Sequence, residues 1–295
     1  MKRSGFDGTT RETVFGLTLI WALTLAAALW FNPFWVSVAI TALLWVYLCS
    51  AWNIVGGILG QVSFGHAAFF GVGAYTSTFL AARYGLSPWF GMLAGGATAA
   101  AIAWIVGYFP FRWRLSHLVF ALMTLALGTA LQFGISGIPA LGGSNGLFVA
   151  VKGQSFWDYR FSHPSSFLLT MAIMSTLVLI LSYRLYVSRT GIKWRALRDN
   201  EDAAASIGIP GFRLKQLGFT LSAFLTALAG TFYAQYVGFI DPQSVLGVSV
   251  TIEILLFAVV GGAGTLIGPV IGALLLVPVS EGLRILLSGI AGDGI

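Results

Sequence analysis

Apolar runs follow one another from Val14 to Leu287, and this succession restricts the chain to very few folds. A lipid core about 30 Å thick takes about 20 helical residues to cross. Backbone facing lipid must satisfy its own hydrogen bonds, so such runs become helices or closed barrels. Nine runs are legible: 14–31, 34–55, 64–82, 88–109, 115–135, 165–183, 216–238, 248–260 and 266–287. They are broken by Asn32-Pro33, Arg83-Tyr84-Gly85, Arg112 with Arg114, a mixed stretch over 136–164, and Asp241-Pro242. The basic start with Ala26-Ala27-Ala28 also fits a cleaved signal peptide, but the spans that follow favour an uncleaved first helix. At 57% hydrophobic and 9% charged, the chain lies far from the roughly 25% charge of soluble domains. The expected fold is an all-α membrane protein. It is a polytopic bundle of about 8–10 transmembrane helices forming a single domain over 1–295.

The net charge of +6 points to topology rather than to nucleic acid once the charges are placed. With the N-terminus inside and alternating spans, Lys2, Arg3, Arg11, Arg112, Arg114, Arg184, Arg189, Lys193, Arg195, Arg198, Arg213 and Lys215 fall inside. Arg83, Lys152 and Arg160 fall outside. Short-loop Lys and Arg set orientation, so a bias of twelve to three predicts a cytoplasmic N-terminus. An odd number of spans then puts the C-terminus outside, a parity that one re-entrant segment reverses.

The largest polar island runs from Arg184 to Lys215 and holds seven basic and three of the ten acidic residues. Asn200 suits an N-cap, with Glu201 and Asp202 in the first turn where the helix dipole favours acids. Ala203, Ala204 and Ala205 favour helix, Gly208 suits the residue after the C-cap, and Pro210 blocks continuation. This predicts a two-turn helix over 201–207, too short to be stable alone, preceded by a second short helix over 192–198. A solvated loop with one helical turn is the plainer alternative. The joint start and stop signals and a face of small residues, open to close packing by another surface, favour the helical element.

Trp194 to Ile209 reads W-R-A-L-R-D-N-E-D-A-A-A-S-I-G-I, and four further stretches stand in order around it. They are G-G-I-L-G-Q-V-S-F-G-H-A-A-F-F-G-V-G-A-Y from Gly56, G-G-S-N-G from Gly142, A-G-T-F-Y-A from Ala229, and G-G-A-G-T-L-I-G-P-V-I-G-A from Gly261. Over nearly its whole length the chain resembles the membrane permease subunits of ATP-driven branched-chain amino acid importers, of the LivM type. The resemblance implies an ATP-binding-cassette importer that carries branched-chain or related hydrophobic amino acids across the bacterial inner membrane. It implies two ABC ATPase subunits, a second permease of the LivH type, and an extracytoplasmic amino-acid-binding protein as partners, besides membrane lipid. ATP and magnesium would be held by the ATPase subunits, with no cofactor in this chain. By motif, the ATPase-coupling role falls on Arg195, Arg198, Asp199, Asn200, Glu201, Asp202, Ala203, Ala204 and Gly208. Members usually carry a further hydrophobic span and a basic tail after the equivalent of residues 280–295. This sequence ends in G-D-G-I, so the expectation is either a truncated sequence or a member that lacks the final helix of the family.

The glycine-rich breaks at 56–66 and 261–269 are read as broken helices beside a translocation path, the pointer expected of a transporter built from two repeated halves. The candidate path residues are Gly60, Gln61, Ser63, Gly65, His66, Gly143, Asn145, Gly261, Gly262, Gly264, Thr265 and Pro269. An equally weighted alternative makes them helix–helix contacts, where small residues allow close approach. His66 reads as a structural hydrogen-bonder. Within the spans, Glu253 sits about 7 Å deep, and Glu281 with Arg284 suits an i,i+3 pair. No convincing midplane set of acids or histidines supports proton coupling, although a self-sufficient secondary transporter or channel for small amphipathic solutes remains the alternative. No phosphate-binding loop occurs, no histidine–cysteine set has metal-ligand spacing, and the lone Cys49 excludes an intrachain disulfide. The chain is therefore expected not to be an enzyme, with the outer loops over 137–163 and 239–247 receiving the binding protein.

Overall fold

The computed structural model describes residues 4–29, 32–149, 157, 159, 161 and 163–292. Lys2, Arg3, Trp30, Lys152 and Arg160 lie outside these, as does the side chain of Arg284, so its pairing with Glu281 is not described. The described residues form twelve α-helices: α1 (Ser4–Leu29), α2 (Pro33–Asn53), α3 (His66–Tyr84), α4 (Pro88–Arg112), α5 (His117–Ser136) and α6 (Pro164–Val187) in the first part. The rest are α7 (Arg189–Asp199), α8 (Glu201–Ser206), α9 (Gly211–Val237), α10 (Pro242–Leu246), α11 (Val248–Gly262) and α12 (Gly268–Gly292). Two two-residue strands, β1 (Leu147–Phe148) and β2 (Phe239–Ile240), pair antiparallel.

Local chemistry sets the boundaries. Asn32 accepts a hydrogen bond from the Phe34 amide at 3.0 Å ahead of Pro33, an N-cap followed by the residue best suited to the first helical turn. Gly85 and Gly238 close α3 and α9 in the left-handed conformation that glycine adopts freely. Asp241 caps α10 through a reciprocal capping box with Ser244, so the predicted turn at Asp241-Pro242 is a helix start.

Seven segments among the described residues are long and apolar enough to cross a bilayer: residues 8–29, 33–58, 88–112, 117–136, 164–187, 211–237 and 242–262. The described part of α12, Gly268–Leu283, is a shorter apolar helix. α3 carries too many polar residues for that set, yet its nineteen residues reach about 28 Å at 1.5 Å each. It tolerates them because most of it is buried at the centre, packed on α4, α5, α9, α10 and α11.

Lipid chains are as apolar as leucine, so packing and cross-helix hydrogen bonds hold such a bundle together. Where α3, α4 and α9 meet, a β-carbon on Gly73 would lie 2.0 Å from the Ala227 carbonyl oxygen, and one on Gly230 1.9 Å from that of Phe70. Thr231 donates to the Gly73 carbonyl at 3.1 Å across the same contact. α2 joins this group to α6, α11 and α12. Its links include Tyr47 Oη to the Leu225 carbonyl at 3.1 Å and Ser175 Oγ to the Leu43 carbonyl at 2.9 Å.

The bundle has two distinct ends. A Thr10–Tyr183 hydroxyl bond of 3.0 Å and an Arg114–Asp202 contact of 3.9 Å bring the start of α1, the α4–α5 turn and α7–α8 to one end. At the other, β1 and β2 join the loop after α5 to the loop after α9, with Phe148 opposite Phe239. Gln132 donates to Gln243 at 2.6 Å there, and the Ser87 hydroxyl donates to the Trp157 carbonyl.

The start of α7 and the start of α9 differ from expectation. α7 begins at Arg189 because Ser188 caps it, accepting from the Gly191 amide at 3.2 Å. α9 begins at Gly211, so Arg213 and Lys215 belong to the first turns of a spanning helix rather than to the polar island. Gly208, at φ +80°, turns the chain after α8, and Pro210 caps α9.

Candidate functional site

α7 and α8 form a helix–break–helix corner that the bundle holds at defined points. Gly191, Trp194 and Leu197 are buried at every third position of α7, the spacing of one helix face. Trp194 has its ring fully buried and donates from Nε1 to the Leu214 carbonyl of α9 at 2.9 Å. Asn200 separates the two helices with extended backbone, and its side chain accepts from the Ala203 amide at 2.9 Å as N-cap of α8. α8 ends at Ser206, one residue before the expected end, because Ile207 takes the C-cap and the Ile209 amide closes back on the Ala204 carbonyl at 3.0 Å.

The nine residues given the coupling role divide into two groups. Arg195 stacks over the Tyr186 ring at 4.0 Å and donates to the Tyr186 carbonyl at 3.0 Å, fixing the α6–α7 corner. Glu201 pairs with Lys215 at 2.5 Å, and Lys215 is 3% exposed. Ala204 is buried. Arg198 extends along its own Asp199, 3.3 Å away, and reaches into the bundle. These four hold the segment in place. The other five, Asp199, Asn200, Asp202, Ala203 and Gly208, are exposed. Arg198 is also exposed along part of its side chain, but its tip is held. Ile207, beside Gly208, leaves a large apolar side chain 75% exposed.

The Arg198 guanidinium donates from Nη1 to the Gly57 carbonyl at 3.1 Å, inside the first glycine break. That break is a π-helical turn, Ile54–Ile58, followed by irregular chain up to His66. Gly60 stands at φ +77° with its α-carbon under the Arg198 side chain, and an added β-carbon would lie 2.3 Å from Arg198 Cγ. The second break, between α11 and α12, lies against the first. Asn53, at the end of α2, accepts from the Gly264 amide at 2.7 Å and donates to the Thr265 carbonyl at 2.8 Å. Gly57 permits this crossing, since a β-carbon there would lie 1.9 Å from Asn53 Oδ1 and 2.3 Å from the Gly264 nitrogen. Arg198, both breaks and the end of α2 thus meet at one point.

The twelve candidate path residues do not form one site. Gly60, Gln61, Ser63, Gly65 and His66 belong to the first break. Ser63 accepts the Trp52 indole N–H on its carbonyl at 3.0 Å. Gly65 packs on Thr124, whose hydroxyl accepts from the Phe64 amide at 3.0 Å. His66 is fully buried, with Nε2 2.8 Å from Ser222 Oγ. The only hydroxyl hydrogen of Ser222 goes to the Ala51 carbonyl at 2.7 Å, so His66 Nε2 is the donor. This ties α3 to α9 and α2, the structural part expected of His66, while His66 Nδ1 and Gln61 Nε2 are buried with no hydrogen-bond partner among the described residues.

Gly264 and Thr265 lie in the second break, which is narrower than the expected 261–269: Gly261 and Gly262 end α11, and Pro269 is in the first turn of α12. The Thr265 hydroxyl donates to the Gly262 carbonyl at 2.8 Å and accepts from the Gly268 amide at 3.0 Å. Gly143 and Asn145 lie in a short 3₁₀ turn before β1, at the opposite end.

Reasoning from sequence left out Asn53, Trp194 and Lys215. A lone asparagine ending an apolar run was a signal for Asn53. Tryptophan and lysine inside a polar island read as surface residues, and nothing local marks them as buried.

Residues 34–290 match the family model described as "Branched-chain amino acid transport system / permease component". The chain is similar to the high-affinity branched-chain amino acid transport system permease protein LivM of Escherichia coli K12, 29% identical over 302 residues, covering 94% of this chain and 70% of that protein. Its counterpart in Salmonella typhimurium is 30% identical over 308 residues with the same coverage. The permease protein LivH of E. coli K12 is 26% identical over 245 residues, 76% of this chain and 77% of its own. With its apolar helices, its locked breaks and a match over most of its length, this multi-pass membrane protein belongs to the family of branched-chain amino acid transport permease components.

Proposed function

We propose that the chain is one membrane half of an ATP-binding-cassette importer for branched-chain or related hydrophobic amino acids. The α7–α8 corner faces the cytoplasm in this reading, as the basic-residue bias predicts, with the N-terminus on the same side of a bacterial inner membrane. An ATPase subunit receives the exposed part of the corner: Asp199, Asn200, Asp202, Ala203, Ile207 and Gly208. A second permease of the LivH type completes the pathway with its own ATPase subunit. ATP and magnesium bind to those two subunits, and a loaded extracytoplasmic binding protein docks on the opposite end near β1 and β2.

The observation that carries this reading is the Arg198 contact with the crossing of the two breaks. A surface loop that only binds a partner has no need of it. A push on α7–α8 would move Arg198 against Gly57 and Gly60, and through Asn53 would shift both interrupted helices together. Packed elements respond to such shifts by switching between discrete arrangements rather than by bending smoothly.

Reconstitution tests the reading. Purified chain with a second permease, the ATPase subunits and a binding protein should take up L-leucine or a related amino acid only with ATP. Asp202→Lys should weaken co-purification with the ATPase subunits. Uptake by this chain alone, with no ATPase present, would show a self-sufficient transporter and overturn the proposal.

A further inference from the structure

A cavity of about 260 Å³ lies between α2, α3, α9, α10 and α11, towards the end opposite the α7–α8 corner. Its apolar wall is built by Ile40, Leu44 and Leu48, and its aromatic wall by Trp45, Phe70, Tyr233 and Tyr236. Gln243 of α10 and Ser249 and Glu253 of α11 bring polar groups to one side of the space, and Thr41 of α2 adds a hydroxyl beside the Ile40–Leu44–Leu48 wall.

Glu253 is a carboxylate within an apolar helix, exposed at the edge of this space as Gln243 and Ser249 are, and it has no hydrogen-bond or ion-pair partner among the described residues. Charged groups in spanning helices are costly and are found facing partners or functional cavities. One helical turn away at i−4, about 6 Å, the Ser249 hydroxyl is likewise without a partner. Gln243 uses its amide oxygen to accept from Gln132 at 2.6 Å, which leaves its side-chain N–H donors uncommitted at the border of the space. Ser244 also borders the space, but its hydrogen is committed to the Asp241 carbonyl at 3.1 Å.

We propose that this cavity is a transient binding site for a zwitterionic amino acid with an aliphatic side chain, its ammonium group on Glu253 and its carboxylate on Ser249 and Gln243. The aromatic faces of Trp45, Tyr233 and Tyr236 add cation–π attraction for the ammonium, and the Ile40–Leu44–Leu48 wall receives the side chain. A wall of this kind separates aliphatic side chains only weakly, so the site admits several of them and excludes molecules lacking either charge. The proposal rests on the import reading above and identifies where this chain would touch the cargo.

The ammonium chemistry has a second source, the headgroup of phosphatidylethanolamine, and the experiment separates the two. A diazirine analogue of L-leucine is photolysed with the reconstituted permease–ATPase complex without binding protein, and labelled peptides are mapped. Label should fall on the segments carrying Trp45 and Tyr233–Tyr236. Excess L-leucine should suppress it, and 4-methylpentanoate, which lacks the amino group, should not. Glu253→Gln should lower that label and amino acid uptake at least tenfold while the ATPase subunits still co-purify, and Glu253→Asp should restore part of both.

Label elsewhere, or uptake by Glu253→Gln within twofold of wild type, overturns the assignment. Loss of assembly in both variants overturns it too, by making Glu253 a structural residue. If label appears only in vesicles of phosphatidylglycerol alone and is suppressed by added phosphatidylethanolamine, the lipid is the occupant and the amino acid assignment falls. Absence of ATP-dependent uptake by the wild-type complex strikes the import reading instead, and the labelling, which needs no ATP, still reports on the cavity.

Discussion

The two ends of the bundle are held by different kinds of contact. At the α7–α8 end, few but directional bonds do the holding: Arg198 to Gly57 and Asn53 to Gly264 and Thr265 join segments far apart in sequence, and Lys215 to Glu201 ties α9 to α8. At the opposite end, a two-residue strand pair and a field of rings do most of the holding, beside the Gln132–Gln243 and Ser87–Trp157 bonds. There Tyr159 sits among Trp89, Phe161, Phe167 and Phe232 at centroid distances of 4.2–6.5 Å. Ring packing tolerates small shifts, because edge and offset arrangements differ little in energy. A hydrogen bond weakens steeply once its angle or length is lost. The first end therefore suits transmission of a displacement, and the second suits adaptation to a docking partner.

The largest effect is expected at the crossing of the breaks. Gly57→Val places atoms where Asn53 Oδ1 and the Gly264 amide already lie, an overpacking of about 1–3 kcal/mol or more. Asn53→Leu leaves the Gly264 N–H and the Thr265 carbonyl without partners, at about 1–3 kcal/mol for each group kept from water. Both should lower the thermal unfolding temperature of the detergent-purified protein. If neither does, the crossing is not a structural joint.

Next comes the Lys215–Glu201 pair. Glu201→Ala leaves the Lys215 ammonium buried without its partner, and breaking a buried pair costs about 3–5 kcal/mol, less here because Glu201 is partly exposed. Asp202→Ala, one residue away and 96% exposed at its side chain, should change stability by less than about 0.5 kcal/mol while weakening association with an ATPase subunit. Equal effects of the two on unfolding would erase the division of α8 into a holding side and a docking side. The smallest effect is expected at the other end, where Phe148, 77% exposed, meets Phe239 at a ring distance of 4.9 Å. Phe148→Ala should cost about 0.5–1 kcal/mol and act mainly on binding-protein docking, measured as a higher KM for the loaded binding protein with little change in kcat.

Much of this was legible in the sequence because membrane chains announce their helices by hydropathy. The Asn200 cap, the short α8 and the turn at Gly208 followed from local rules that operate within a few residues. The interruptions at 56–66 and 261–269 were legible as glycine-rich breaks. Their meeting was not, because Gly57 and Gly264 are distant in sequence and only three-dimensional packing brings them together. For the same reason Glu201 reads as a free surface acid, and its pairing with Lys215 emerges only when α9 is seen to start at Gly211. Gly143 and Asn145 stand apart from the breaks, in a 3₁₀ turn at the other end, and this was not legible because a glycine-rich stretch reads alike in a turn and at a helix contact.

Arg198 connects the α7–α8 corner to the crossing of the two broken helices. The direct measurement is amino acid taken up per ATP hydrolysed by reconstituted importer carrying Arg198→Met, which keeps an unbranched apolar stem but removes the donor to the Gly57 carbonyl. The ATPase subunits should still bind and hydrolyse ATP while uptake per ATP falls at least tenfold. An unchanged ratio of uptake to hydrolysis would contradict this role of Arg198.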